Sequence, residues 1–292
     1  MSSNSALATG AGNDISYGRG CLGSNCMYES PNLSNVWLGE AQARKLIGGE
    51  LGDVYRRVLS TSCAPICWFP KQGPPDFENM RSGTVTFVRT PVKLMGITAA
   101  HVVTEFVLAE ELAPQTVMLM NAVLPKLNVI DISERLDLAT FEIDDAILNA
   151  VGKGISPLTN WPPQAPTEGR GILMAGYPAL VRLTKGVVQN VGIIEWGLFT
   201  VLGTAGRVSD EQISWMIDRE RNVKHPTIPD PPPNAELGGI SGGPVISLLE
   251  RRGVHYWGLS GIISQASAQL ERIVAKRADL IAADGKIDRS FA

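Results

Sequence analysis

No apolar run in this sequence approaches the ~20 residues that would cross a bilayer as a helix. Basic charge is not in excess: 26 lysines and arginines stand against 29 aspartates and glutamates, a net charge of −3. A nucleic-acid-binding chain would carry a concentrated basic face. The opening MSSNSALATGAGNDISYGRG lacks a basic stretch followed by an apolar one, so it does not read as a secretory signal, and a cytoplasmic location is expected. Cysteine is scarce. Cys21, Cys26, Cys63 and Cys67 leave gaps of C-x4-C and C-x3-C, not the C-x2-C pairs of zinc ribbons. Reduced, unliganded thiols are the expected state, and no metal or cofactor is expected. Neither nucleic acid nor membrane is expected as a partner.

What is present is a chain of 292 residues, 44% hydrophobic and 19% charged, enough for one large or two small globular cores. Residues 1–35, rich in Ser, Asn and Gly, read as a flexible tail. Apolar groups at helical spacing over 36–60, interrupted at Gly48–Gly49, predict a helix or a broken helix pair, giving a helical extension over 36–78 with a loop at 70–79. From there the texture is β. Short runs such as GTVTFVR (83–89), VKLMGITAA (92–100), LDLATFEI (136–143), GILMAGY (171–177) and HYWGLSGIIS (255–264) are bounded by turn residues. The proline-bearing stretch 153–170 suits a linker between two β-halves, placed at 79–160 and 161–292. Residues 266–283, ASAQLERIVAKRADLIAA, read as one amphipathic helix.

The stretch LGGISGGPVI (237–246) places a single serine, Ser241, among four glycines. Glycine suits backbone that must take positive φ or approach another group closely. An ordinary Gly/Ser/Pro turn would look the same. A serine hydroxyl is a poor nucleophile until a base takes its proton, and histidine is the natural base near neutral pH. The chain has three: His101 at the end of GITAAH, His225 in a polar loop, and His255 at the start of a strand. The last two read as surface residues. The base needs an acid behind it. Asp137 enters an apolar run, costly without a partner, and Asp131, six residues earlier, competes with it.

ITAAHVV, LDLATFEI and GISGGPV, in the order His, Asp, Ser, resemble the three signature segments of trypsin-like (chymotrypsin-fold) serine peptidases. A fourth stretch, SGIISQA (260–266), is similar to the strand that lines their primary specificity pocket. The resemblance covers roughly residues 80–275. It implies an all-β fold of two six-stranded antiparallel barrels, here with the N-terminal helical extension and a C-terminal helix. It implies His101, Asp137 and Ser241 as the triad, with the N–H groups of Gly239 and Ser241 as the oxyanion hole. Ala235, Ser264, Gln265 and Ala266 would line the substrate site. The expected activity is serine endopeptidase, acting on a peptide or protein and needing no cofactor; the oligomeric state stays open. Ile240 stands where many secreted relatives carry an aspartate that pairs with a freed N-terminus, so activation by that route is not expected. Ala235 and Ala266 bring no charge, which implies a shallow pocket for small or aliphatic side chains.

Three rivals use the same letters. Gly239-x-Ser241-x-Gly243 also fits the nucleophile elbow of α/β-hydrolases, which would need His255 as the base. The chain could instead be a peptidase-fold binding module that does no chemistry, or an enzyme held latent by its first 78 residues.

Overall fold

The structure is a computed structural model that describes residues 36–70, 80–121, 123–155, 161–188, 191–217, 232, 235–267 and 271–290. The expected tail, with Cys21 and Cys26, His225 and nearly all of the loop at 70–79 lie outside the described residues.

A two-residue strand β1 (Val36–Trp37) leads into α1 (Glu40–Ile47) and α2 (Glu50–Ser62), parted at Gly48–Gly49 as the periodicity implies. Ala43 and Ile47, then Tyr55 and Leu59, sit four apart and so share one helix face. They are buried against Leu173, Ala175, Ile246 and Leu248. The chain then runs through β2 (Cys63–Pro70), β3 (Arg81–Arg89), β4 (Leu94–Thr98), helix α3 (Ala100–Leu112), β5 (Thr116–Met120), β6 (Val129–Ser133), β7 (Leu138–Glu142) and helix α4 (Asp145–Ala150). The six strands form one antiparallel sheet in the order β5-β2-β3-β4-β7-β6. Its strand β2 comes from the stretch expected to be helical. The strand pairs with β3 along Cys63–Trp68 and with β5 along Ile66–Pro70, and Cys63–Trp68 are buried throughout, so they lack the alternation that betrays a strand.

The second sheet uses β8 (Gly171–Gly176), then, past a separate hairpin of β9 (Arg182–Val188) and β10 (Val191–Trp196), β11 (Phe199–Thr204), β12 (Arg207–Val208), β13 (Gln212–Met216), β14 (Pro244–Arg251), β15 (Val254–Ser267) and β16 (Arg272–Arg277). Its order is β11-β8-β14-β15-β16-β13-β12, with β1 added on β14. Apart from β1 and β12, two residues each, six strands make this sheet, and it too is antiparallel. Both sheets curl, giving the double-barrel layout.

The strand alternation separates the cores. In β8, Ile172 and Met174 face a core shared with Phe199, Val201, Ile213 and Ile263, whereas Leu173 and Ala175 face the helices. Val85, Phe87 and Phe141 belong to the core of the first sheet. A fourth cluster joins the sheets: Met95 and Ile97 of β4 pack with Leu259 and Ile262 of β15 and with Leu280, Ile281 and Ile287 near the C-terminus.

The helix expected over 266–283 is replaced by the end of β15, the strand β16 and a single 3-10 turn at Ala278–Leu280. Ile273 and Ala275 are buried at every second position, and β16 pairs with β13 on one edge and β15 on the other. A helix there would leave the facing edges of both strands unpaired, and tertiary pairing overrides the local pattern.

Candidate active site

The two sheets bring three chain segments together between them. His101 is the second residue of α3, directly after β4. Asp137 closes the β6–β7 turn with φ at 49°, in the left-handed region that aspartate tolerates better than most side chains. Its Oδ1 accepts from the His101 backbone N (3.0 Å) and from His101 Nδ1 (2.9 Å), and Nδ1 also lies 3.0 Å from Oδ2. Oδ2 accepts from Ser264 Oγ at 2.5 Å. With Nδ1 committed to the carboxylate, the neutral ring carries its proton there and leaves Nε2 as its acceptor.

The electrostatics follow from these contacts. The Asp137 hydrogen bond raises the His101 pKa above its ordinary value; burial works against this, and the charges of Asp137 and Glu105 add to it. Burial alone would raise the Asp137 pKa, but hydrogen bonds from His101 and Ser264 outweigh it and hold the carboxyl below its usual range.

Ser241 lies in the turn before β14, and its hydroxyl donates to Ser264 O at 3.1 Å. The turn explains its glycines. Gly242 has φ at 91°, and a Cβ there would stand 1.9 Å from Thr84 O and 2.2 Å from Thr98 Oγ1. Gly239 has φ at 98°, with Tyr177 O 2.7 Å from where a Cβ would be. The first sheet clasps this turn: Thr84 N donates to Ser241 O, Thr84 Oγ1 to Gly239 O and Thr86 Oγ1 to Gly242 O, each at 2.8 Å. Two further carbonyls are tied back, Gly238 O by Ala179 N (2.7 Å) and Ile240 O by Gly243 N (2.9 Å). A trans peptide points its N–H opposite its C=O, so the N–H groups of Gly239 and Ser241 face away from these anchors. Among the described residues neither donates to any protein acceptor.

Ser264 joins the three segments, its side chain on Asp137 and its carbonyl on Ser241. The chain has the trypsin-like peptidase fold. No family model matches the sequence, and no curated protein matches it. Among solved structures the chain is similar to the serine endoprotease of Yersinia pestis, at 16% identity and TM-score 0.44, covering 77% of this chain and 63% of that one. The chain thus spans less than two thirds of the Yersinia protein's length. It is similar to the Rv3671c protease of M. tuberculosis in its active form, at 13% identity and TM-score 0.37 over 80% and 81% of the two chains. Deg5 is similar at 13% identity and TM-score 0.44 over 79% and 91%.

The other sequence candidates fall elsewhere. Asp131 accepts from Arg289 Nη2 (2.6 Å) and Nη1 (3.2 Å) and from Ile287 N (2.9 Å), tying the C-terminal segment to β6. His255 pairs across from Glu250 near the start of β15. It is nine residues from Ser264, which is about 30 Å along a strand. Ser241 is followed by a strand, not a helix, and every strand pairing described is antiparallel, which removes the α/β-hydrolase alternative. The helices α1 and α2 pack on β8 and β14 as part of the core. Ala266 is half-buried and packs against the core of the second sheet, whereas Ala235 is half-buried outside that cluster and Gln265 is exposed. Among the described residues no three His, Cys, Asp or Glu side chains gather as metal ligands, and Cys63 and Cys67 are free and buried. Among the described residues no helix is long and apolar enough to cross a membrane.

Sequence reasoning passed over Thr84, Thr86 and Tyr177. Two fully buried threonines at alternate positions of GTVTF were the available signal, since buried hydroxyls need partners.

Proposed function

We propose that the chain is a serine endopeptidase in which Ser241 is the nucleophile, His101 the general base and Asp137 the residue that orients it. The observation that carries this reading is Ser264, one residue hydrogen-bonded to both Asp137 and Ser241. Rotation of the Ser241 hydroxyl off Ser264 O frees it for the imidazole. Oγ then adds to the scissile carbonyl as Nε2 takes its proton, and the C=O π electrons move onto oxygen. The Gly239 and Ser241 N–H groups receive that oxyanion; one such donor is typically worth about 3–4 kcal/mol of transition-state stabilisation. Collapse expels the amine, which takes the proton back from His101, and water repeats the cycle on the acyl-enzyme. The substrate is a peptide or protein. Ala235 and Ala266, both half-buried and uncharged, favour a small or aliphatic side chain before the cut.

The second reading, a peptidase-fold binding module, draws on one contact: the Ser241 hydroxyl rests on Ser264 O, not on the ring. A fluorophosphonate probe separates the two. Labelling of the wild type that disappears in Ser241→Ala and His101→Ala supports the enzyme. A protein that never labels is the binding module.

A further inference from the structure

Behind the glycine turn lies a buried polar chain that the proposed chemistry does not use. Lys153 follows the C-terminal end of α4 and is half-buried, with no carboxylate paired to it among the described residues. Its ammonium donates to Ser60 O in the last turn of α2 (2.7 Å) and to the Tyr177 hydroxyl (3.0 Å). The adjacent Gly154 N donates to Thr61 O at 3.1 Å. A cation is favoured at the negative end of a helix, which accounts for the first bond. It does not account for the second.

Tyr177 is 4% exposed and packs with Tyr55 and Leu59 of α2. Its hydroxyl reaches Cys63 O at 3.4 Å. Its backbone belongs to the site: Tyr177 N donates to Thr84 Oγ1 (3.0 Å), the same oxygen that donates to Gly239 O. Tyr177 O lies against the Gly239 Cα, and Ala179, two residues on, ties back Gly238 O. The ring is therefore the buried handle of the segment that sets the Gly238–Gly239 peptide.

We propose that Lys153 and Tyr177 are positioning residues that brace this peptide, through which the helical extension holds the Gly239 N–H in its working orientation. The rate consequence rests on the peptidase reading above; the structural consequence does not. The brace makes the extension part of the oxyanion-hole machinery. A packing role for Lys153 alone would alter stability and leave the turn unmoved.

The test uses Lys153→Met, which keeps the stem and removes the ammonium, and Tyr177→Phe, which removes only the hydroxyl. Both are made in the full chain labelled with 15N-glycine. The expected result is that each variant moves the Gly239 amide resonance. Each should also lower kcat by about 10- to 100-fold, the scale of a sub-ångström to ångström misplacement at a reacting centre, with KM within twofold. Affinity for a peptide boronic acid, which mimics the tetrahedral species, should fall by the same factor as kcat/KM. Lys153→Arg, which keeps the charge and the donors, should recover part of the loss. Should Lys153→Met fail to fold, Tyr177→Phe is read by the same criteria. An unmoved Gly239 resonance, or kcat and boronate affinity within twofold of wild type, overturns the brace. If the wild type neither labels nor hydrolyses, the peptidase reading fails, and the amide resonance still decides the brace.

Discussion

Replacing Asp137 by asparagine exchanges one oxygen for an NH2 group in a side chain that now faces only donors. They are the His101 backbone N–H, His101 Nδ1 and Ser264 Oγ, at 3.0, 2.9 and 2.5 Å. An amide offers a single acceptor oxygen, so its NH2 must confront one of them. Ser264 can rotate its hydroxyl, but the backbone N–H cannot turn, so the amide oxygen is drawn to it. The NH2 then competes for the imidazole. A ring that accepts at Nδ1 carries its proton on Nε2 and cannot take the one from Ser241. A triad with an amide in place of its acid characteristically loses about 10⁴ in kcat, or about 5 kcal/mol of barrier.

The pH dependence adds a sign. In the wild type the Asp137 hydrogen bond raises the His101 pKa against the opposing effect of burial. Activity, which needs the neutral ring, should therefore rise with pH through a midpoint above the ordinary histidine value of about 6.5. In Asp137→Asn the raising contribution is gone and burial remains, so the midpoint moves to lower pH. Stability follows the same contacts. The Asp137 contribution is present above the ordinary carboxylate range and is lost as pH falls through its depressed folded value. The His101 contribution is present below the ordinary histidine range and is lost as pH rises through its elevated folded value. The assay is the second-order rate of fluorophosphonate labelling from pH 5 to 9, with urea unfolding to establish that the variant is folded. A folded variant that labels within tenfold of wild type at pH 8, or whose midpoint does not fall, refutes the assignment of Asp137.

Two further perturbations separate the site from its surroundings. Gly242→Ala and Gly253→Ala both place a side chain at positive φ, which costs roughly 1–2 kcal/mol. Only at Gly242 does the new Cβ meet Thr84 O and Thr98 Oγ1; at Gly253 nothing lies within 4 Å. Opening the Thr98–Thr84 contact leaves a buried acceptor short of its partner, about 1–3 kcal/mol more. Gly242→Ala should therefore lose at least about 1 kcal/mol more stability in urea than Gly253→Ala, and equal losses would contradict the close approach. Asp131→Asn should label at a rate within twofold of wild type while its C-terminal residues become more open to proteases. A labelling loss as large as that of Asp137→Asn would make Asp131 the acid instead.

How much of this was legible in the sequence depended on the range of the interaction. The glycine turn around Ser241 is a local solution to backbone crowding, so GISGGPV carries its meaning in a few letters. The helix break at Gly48–Gly49 is local too. Asp131 and Asp137 illustrate the opposite case. Both enter β-type runs six residues apart, and the resemblance, not the residues, favoured the second. What separates them is a left-handed turn residue aimed at α3 on one side and an arginine 158 positions away on the other. The stretch 266–283 misled because its apolar residues satisfy a helical period as well as an alternating one. The choice was made by the edges of β13 and β15, which needed a ladder partner that no window of the sequence contains. The same reasoning applies to Thr84. Its hydroxyl serves Gly239, 155 residues further along, and its backbone N–H serves Ser241 in the same turn. A threonine in a strand announces only that some buried acceptor must be found for it.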